Sequence, residues 1–137
     1  MMDFIKSLAI AASGMKAQSG RMRVISENLA NADSTAQSPG GDPYRRRIVT
    51  FHSQFDRELD AQVVSMGRVA TDGSDFLVKH EPDNPVADAK GDVKYPNVNS
   101  LIELTDLRDA QQSYQANLNV ITATRRMLQR TIDILKT

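Results

Sequence analysis

The chain has 137 residues, no cysteine, and equal numbers of basic and acidic side chains (17 each), so its formal charge is zero. This composition excludes disulfides, thiol nucleophiles and cysteine-based metal sites, and the charge balance argues against binding nucleic acid through its phosphates. The longest apolar run, residues 8–12, is far shorter than the roughly 18 residues of a membrane span, and the acidic start does not resemble a cleaved secretory signal.

A heptad pattern occupies the first 32 residues. Apolar residues recur in alternating steps of four and three, which is the spacing of a coiled-coil seam, and the pattern predicts a helix from about Asp3 to Ala30. This helix contains two glycines, Gly14 and Gly20. They indicate either close packing against neighbouring helices or a long helix that simply tolerates glycine. A stripe of mostly small residues, Ile5, Ala12, Ser19 and Ser26, supports close packing. The seam positions are Phe4, Leu8, Ala11, Met15, Gln18, Met22, Ile25 and Leu29.

The segment after this helix is predicted to be a loop followed by short strands. Asn28 and Asn31 are expected to end the helix, because their side chains compete for backbone hydrogen bonds. Two prolines and a Gly-Gly pair make residues 33–43 a loop. Strands are expected in the ranges 44–55, 61–71 and 76–78, with a bulge or bend at Gly67, and residues 81–99 read as an extended connector with at most one short strand.

A second heptad pattern predicts a C-terminal helix over residues 101–135. Ser100 and Glu103 have the spacing of a capping box, and acidic residues early and basic residues late complement the helix dipole. The seam positions are Leu104, Leu107, Gln111, Tyr114, Leu118, Ile121, Arg125, Leu128, Ile132 and Leu135. The polar seam residues are Gln18, Gln111 and Arg125. They either determine the register and the partner helix of the coiled coil or face solvent.

These patterns together predict a mainly α fold with a small β-rich middle. The long N- and C-terminal helices, residues 1–32 and 100–137, pack as a coiled coil around the loop, strands and connector of residues 33–99. A lone subunit would expose its apolar stripes, so the termini are expected to be disordered or aggregation-prone before assembly. The seam residues expected to contact neighbouring subunits are Leu8, Met15, Met22, Leu29, Leu104, Leu107, Leu118, Ile121, Leu128 and Ile132.

The sequence contains few candidate motifs for catalysis, metal binding or phosphate binding. Phosphate-binding loops and zinc-protease motifs do not occur, and His52 and His80 read as ordinary surface or half-buried histidines. The basic run Arg45–Arg47 could bind phosphate, protect an edge strand, or pair with carboxylates of another subunit. We therefore expect a non-enzymatic protein with no cofactor and no metal.

Several segments resemble the bacterial flagellar axial proteins, which comprise rod, hook and related subunits. The motif of that family is similar to residues 23–34, and later segments resemble its short proximal-rod members: residues 40–46, 81–99 and 113–117. Asp92 departs from the pattern, since an aromatic residue is expected after Gly91. The residues that carry the resemblance include Asn28, Leu29, Ala30, Asn31, Pro43, Tyr44, Arg45, Pro96, Asn97, Tyr114 and Asn117.

The resemblance implies a structural subunit of the proximal rod in the flagellar basal body. Such subunits leave the cytosol unfolded through the flagellar type III apparatus, without a cleaved signal, and polymerise across the periplasm to transmit torque. The implied partners are copies of the chain itself, the other proximal-rod and distal-rod proteins, and the export-gate adaptor. The alternatives are a soluble coiled-coil adaptor or export chaperone, and, with least support, an envelope enzyme.

Overall fold

The computed structural model describes residues 2–137, and long helices form both ends of this range. Helix α1 spans Met2–Ala30 and helix α2 spans Ser100–Leu135. Six short strands lie between them: β1 Arg47–Ile48, β2 Phe51–Asp56, β3 Ala61–Met66, β4 Ala70–Thr71, β5 Leu77–His80 and β6 Asp92–Tyr95. The predicted fold class, mainly helical with a small β middle, is confirmed.

The strands pair as antiparallel ribbons. Within residues 2–137 they form three two-stranded sheets, β1 with β4, β2 with β3, and β5 with β6. The predicted strand over 44–55 is divided into β1 and β2, and the predicted strand over 61–71 into β3 and β4. The break in the second follows Met66, where the Gly67 amide donates to the Thr50 carbonyl at 2.7 Å. The connector holds one strand, β6, as expected.

The chain forms two compact units. Unit 1 comprises Met1–Met22, Thr50–Arg68 and Arg108–Thr137, and unit 2 comprises Arg23–Val49 and Val69–Leu107. Unit 1 contains most of both helices and the β2–β3 hairpin. Unit 2 contains the last turns of α1, the first turns of α2, and the remaining strands. The division of the sequence into segments 1–32, 33–99 and 100–137 stays a prediction.

The end of α1 is made by Asn31 rather than by Asn28. The Asn31 side-chain amide donates to the Glu27 carbonyl at 2.8 Å, and its backbone amide also reaches the Glu27 and Asn28 carbonyls. This satisfies carbonyls that the helix leaves without partners. Asn28 is inside the helix and 1% exposed, so its predicted role in ending the helix is wrong; its side chain contacts other segments of unit 2.

The start of α2 also differs from the prediction. The cap is Asn99, whose Oδ1 accepts from the Leu101 amide at 3.0 Å and the Ile102 amide at 3.4 Å. Glu103 does not close a capping box on Ser100, because its carboxylate is buried and binds Asn28 and Arg46. A glutamate three residues after Ser100 gives the same sequence pattern whether it closes a capping box or is buried among other side chains.

The buried face of α2 is displaced by one residue from half of the predicted seam. Leu107, Tyr114, Ile121 and Leu128 are half-buried, as a seam requires. The second row, Leu104, Gln111, Leu118 and Arg125, is exposed. Its place is taken by Glu103, Ala110, Asn117 and Thr124, which are small or polar. Gln111 and Arg125 therefore face solvent in the single chain.

The glycines of α1 permit close approach within unit 1. A Cβ at Gly14 would lie 2.7 Å from Asn117 Nδ2 of α2, and a Cβ at Gly20 would lie 2.6 Å from the Met66 sulfur of β3. Gly14 thus lies close to one helix, α2, whereas Gly20 lies close to a strand, β3; close packing against several neighbouring helices stays a prediction. The stripe of Ile5, Ala12, Ser19 and Ser26 is exposed, so its close packing against other helices stays a prediction.

Gln18 is the polar residue of the α1 seam. Its side-chain Oε1 is buried and has no hydrogen-bond partner among the described residues. None of the helices in residues 2–137 is long and apolar enough to cross a membrane.

Candidate functional site

A buried polar cluster in unit 2 is organised around the side-chain amide of Asn28. Its Oδ1 accepts from the Tyr44 hydroxyl at 2.7 Å and from the Arg47 amide at 2.9 Å. Its Nδ2 donates to the Arg47 carbonyl at 2.9 Å and to Glu103 Oε2 at 3.1 Å. One side chain thereby fixes the returning strand β1 and the first turn of α2 against the end of α1.

The carboxylate of Glu103 lies beside this amide and carries a charge in a buried position. Its side chain is 1% exposed, and Oε1 accepts a hydrogen bond from Arg46 Nε. Arg46 also pairs with Asp72 at 3.4 Å and with Asp106 at 3.6 Å. A buried charge is tolerated only when it is paired and hydrogen-bonded, and Arg46 with Asn28 meets that requirement.

A second set of contacts extends the cluster to the turn after β4. The Asn97 side-chain amide donates to the carbonyls of Asp72 and Ser74, each at 3.1 Å, and its Oδ1 accepts from the Arg46 amide at 2.7 Å. Arg45 donates to the same two carbonyls, and its guanidinium lies 4.1 Å from the centre of the Phe76 ring. Segments distant in sequence are therefore joined through side-chain amides and guanidinium groups.

The electrostatics of the cluster favour its observed charges. The hydrogen bond to Glu103 raises the pKa of Arg46 above its ordinary value, although desolvation opposes this. Burial raises the pKa of Tyr44, which keeps its hydroxyl a donor to Asn28. Hydrogen bonds from Ser74, together with Arg46, lower the pKa of Asp72.

The predicted motif residues divide between this cluster and its surroundings. Asn28, Tyr44, Arg45 and Asn97 take part in the hydrogen bonds described above. Pro43 and Pro96 are buried, and Leu29, Asn31, Tyr114 and Asn117 are half-buried, whereas Ala30 is exposed. Sequence reasoning did not identify Arg46, Asp72 or Glu103 as members of a site. Arg46 had two sequence signals, the basic run and segment 40–46 of the resemblance, and Glu103 had one, the apparent capping box.

The basic run binds carboxylates and carbonyls of its own chain. Arg46 pairs with Glu103, and Arg47 pairs with Glu27 at 3.0 Å on the surface. The expected pairing with carboxylates is therefore intramolecular in this structure. Groups of three or more residues suited to holding a metal ion are absent from the described part of the chain.

The ten residues expected at subunit contacts have unequal exposure. Leu104 is 53% exposed and Leu118 is 36% exposed. The other eight are half-buried: Leu8, Met15, Met22, Leu29, Leu107, Ile121, Leu128 and Ile132. Leu104 and Leu118 thus have the most surface available to a neighbouring subunit, and their role as contacts stays a prediction.

Large apolar side chains are exposed along both helices. On α1 they are Met2, Ile5 and Ile10, and on α2 they are Leu101, Ile102, Leu104, Leu118, Val120, Met127, Ile134 and Leu135. The fully buried hydrophobic residues are few and mostly small: Ala11, Ala17, Val24, Ile25, Val93 and Ala110. Residues 2–137 thus contain few fully buried hydrophobic side chains and many exposed large ones, an arrangement that suits a subunit packing against others.

Both ends of the chain match families of known proteins. Residues 8–36 match the family described as flagella basal body rod protein, and residues 89–134 match the C-terminal family of the flagellar basal body rod FlgEFG proteins. These matches, together with the two long helices and their exposed apolar faces, define the class: a rod-type protein of the flagellar axis. The resemblance found in the sequence is confirmed.

Curated relatives identify the family within this class of rod-type proteins. Flagellar basal-body rod protein FlgC of Agrobacterium fabrum is 50% identical over 127 residues, which cover 93% of this chain and 91% of that protein. FlgC of Bacillus subtilis is 37% identical over 98% of this chain and 100% of its own length, and FlgC of Escherichia coli is 37% identical over 97% and 98%. This chain belongs to the FlgC family of flagellar basal-body rod proteins, and it is a structural subunit of that rod in the basal body.

Proposed function

We propose that the chain is exported unfolded through the flagellar type III apparatus and polymerises in the proximal rod, where it crosses the periplasm and transmits torque. The observation that carries this proposal is the contrast between exposed and buried apolar residues. Eleven large hydrophobic side chains are exposed on the two helices, whereas three of the six fully buried hydrophobic residues within the range 2–137 are alanines. Burying the exposed faces between subunits would supply the apolar contacts that a single chain lacks.

The proposed partners are copies of the chain, other proximal-rod and distal-rod proteins, and the export-gate adaptor. Leu104 and Leu118 are the leading contact residues, because they share one exposed row of α2. The half-buried residues of the two predicted seams would add contacts at the margins of the same faces. Polymerised helices of this kind pass torque through side-chain packing, and a cofactor has no role in it.

The assembly is tested by locating the chain in purified basal bodies. A strain lacking its own copy would be complemented with an epitope-tagged chain, and its basal bodies isolated in detergent. We expect the tagged chain to co-purify with the rod and to restore swimming. A chain that stays in the cytosol while the strain swims normally would contradict the proposal.

Export in the unfolded state needs a separate test. The chain would be fused to a domain that folds tightly, with a destabilised variant of the same domain as the matched control. We expect the tight fusion to be retained in the cytosol and the destabilised fusion to be exported. Equal export of the two fusions would contradict passage in the unfolded state.

A further inference from the structure

The turn after β4 contains the pair Asp72–Gly73, which is the one place in the sequence where glycine follows aspartate. Glycine does not follow asparagine anywhere in the chain. A glycine has no side chain to shield its backbone nitrogen or to restrict the chain around it. The carboxyl group of Asp72 is therefore next to the backbone nitrogen with the least steric protection that a sequence can provide.

The nitrogen of Gly73 is open to reaction. Gly73 is exposed, and a Cβ built on it would meet no atom within 4 Å. The amides on either side have acceptors: the Asp72 amide donates to the Arg46 carbonyl at 2.8 Å, and the Ser74 amide donates to Asp72 Oδ1 at 2.9 Å. The Gly73 amide makes no hydrogen bond with any residue in the range 2–137.

Asp72, in contrast, is held by the polar cluster. Its Oδ1 accepts from the Ser74 amide, and its Oδ2 lies 3.4 Å from Arg46 Nη1. Its backbone carbonyl accepts from Arg45 and from the Asn97 side-chain amide, each at 3.1 Å. The contacts thus fix both the carboxyl group and the carbonyl group of one residue.

A carboxyl group beside a backbone nitrogen can close an imide ring with it. The Gly73 nitrogen would attack the Cγ carbon of Asp72 and form a C–N bond, while the nitrogen loses its proton and the carboxyl group loses its hydroxyl, together as water. Water then opens one of the two C–N bonds of the imide. Opening at Cγ restores aspartate, whereas opening at the Asp72 carbonyl carbon gives isoaspartate, in which the main chain runs through the side-chain carbons.

We infer that Asp72–Gly73 is a site of spontaneous isomerisation to isoaspartate, and that the contacts of the polar cluster suppress this reaction in the folded chain. The carboxyl group has to leave Ser74 and Arg46 before it can close the ring. Hydrogen bonds from Ser74, together with Arg46, also lower the pKa of Asp72, so the protonated carboxyl, which carries the hydroxyl that leaves, is rarer than in the unfolded chain. Water is the only co-reactant, so this inference does not depend on the proposed export or assembly.

Isoaspartate at this position would disrupt the cluster. Its main chain is longer by one methylene, which lies between the amide that donates to Arg46 and the carbonyl that Arg45 and Asn97 hold. The two ends cannot both keep their partners. The remaining carboxylate is attached directly to Cα, so its reach towards Arg46 is shorter. A chain that isomerises before it folds should therefore form unit 2 poorly.

The inference is tested by comparing the full chain in its folded state with the same chain unfolded in guanidinium chloride, at one neutral pH and one temperature. Isoaspartate is located by digestion with a protease that cleaves before aspartate but not before isoaspartate, followed by mass spectrometry. We expect isoaspartate at residue 72 to form at least about tenfold more slowly in the folded chain, because the reaction then waits for local opening. Equal rates, or no isoaspartate at residue 72 in the unfolded chain, would overturn the inference.

Two controls show that the site, and not exposure alone, determines the reaction. Asp75 is exposed but is followed by Phe76, so it should stay aspartate in the same digests. Gly73→Ala adds a methyl group beside the attacking nitrogen. This variant should fold normally, because its Cβ meets nothing within 4 Å and Gly73 does not have a positive φ, and it should lower the isoaspartate yield of the unfolded chain. An undiminished yield in Gly73→Ala would contradict attack by this nitrogen.

The protective contacts are tested in folded variants, with circular dichroism to confirm that each is folded. Arg46→Met releases the carboxylate, and Arg45→Met releases the carbonyl while leaving the buried pair of Arg46 and Glu103 in place. Both should isomerise faster than Arg47→Met, whose side chain pairs with Glu27 instead. Arg45→Met decides the outcome if Arg46→Met does not fold. Rates no higher than that of Arg47→Met would show that these contacts do not suppress the reaction.

Discussion

Asn28 and Glu103 are 75 residues apart in the sequence, and their side chains meet through a hydrogen bond of 3.1 Å inside unit 2. Each is 1% exposed. The pair connects the end of α1 to the start of α2, and Arg46 completes it from the segment between the helices. The stability of unit 2 should therefore depend on polar residues more than on its small apolar core.

The first prediction concerns two adjacent arginines with different surroundings. Arg46→Met should lower the free energy of unfolding by about 3–5 kcal/mol, because it leaves the buried Glu103 carboxylate without its cation. Arg47→Met is the matched control. Arg47 pairs with Glu27, and their side chains are 49% and 41% exposed, so this pair contributes about 0–1 kcal/mol. Urea unfolding followed by tyrosine fluorescence measures both. Equal losses for the two variants would show that Glu103 does not depend on Arg46.

The second prediction concerns acid stability. The pKa of Asp72 is lowered in the folded chain by hydrogen bonds from Ser74 and by Arg46. A lowered pKa contributes stability that is present above the unfolded value, near pH 4, and is lost as the pH falls through the folded value. Asp72→Asn should therefore flatten the decline of stability in acid. Asp83→Asn, at an exposed residue that makes no hydrogen bond or ion pair within residues 2–137, should leave that decline unchanged, and the reverse order would refute the role of Asp72.

The third prediction tests the close approach at Gly14. Gly14→Leu should destabilise unit 1 by about 1–3 kcal/mol, because the new side chain overlaps Asn117, although leucine favours the helix more than glycine does. Gly73→Leu provides the control, since nothing lies within 4 Å of a Cβ at that position. Thermal unfolding monitored by circular dichroism compares them. If adding Asn117→Ala to Gly14→Leu restores no stability, the overlap lies elsewhere.

The fourth prediction concerns the exposed row of α2. Leu118→Glu should abolish incorporation into the rod and swimming, because it places a charge in the proposed contact row; circular dichroism checks that the single chain, in which Leu118 is 36% exposed, stays folded. Gln112→Glu adds the same charge at an exposed polar position of the same helix and should be tolerated. Soft-agar swimming and immunoblots of basal bodies provide the readout. Normal swimming with Leu118→Glu would remove Leu118 from the proposed interface.

The sequence predicted the two helices well because their apolar period extends over many turns. It also located the row containing Leu107 and Ile121, whose residues are large and apolar. It misplaced the other row by one position, because Leu104 and Leu118 look like core residues whereas Glu103 and Asn117 do not. In a single chain the opposite holds: the leucines are exposed, and the polar residues face the interior.

The polar cluster around Asn28 and Glu103 could not be predicted from the sequence, and the reason is physical. A buried carboxylate and a capping carboxylate have the same spacing from a helix start, and only the position of Arg46 distinguishes them. The family motif identified Asn28, Tyr44 and Asn97 as important residues, but it did not show that they lie together. Their contacts cross long stretches of chain, and local periodicity carries no information about such distances.

The separation of Asn28 from Glu103 also has a consequence for biosynthesis. A ribosome produces the N-terminal residues first. Asn28 therefore lacks its partner Glu103 until the intervening 74 residues have been synthesised. Unit 2 cannot close its buried cluster cotranslationally until the beginning of α2 has emerged. Loop closure over such a distance is itself entropically unfavourable. The buried cluster thus stays open in the nascent chain for most of its synthesis, and its closure belongs to the last stage of folding.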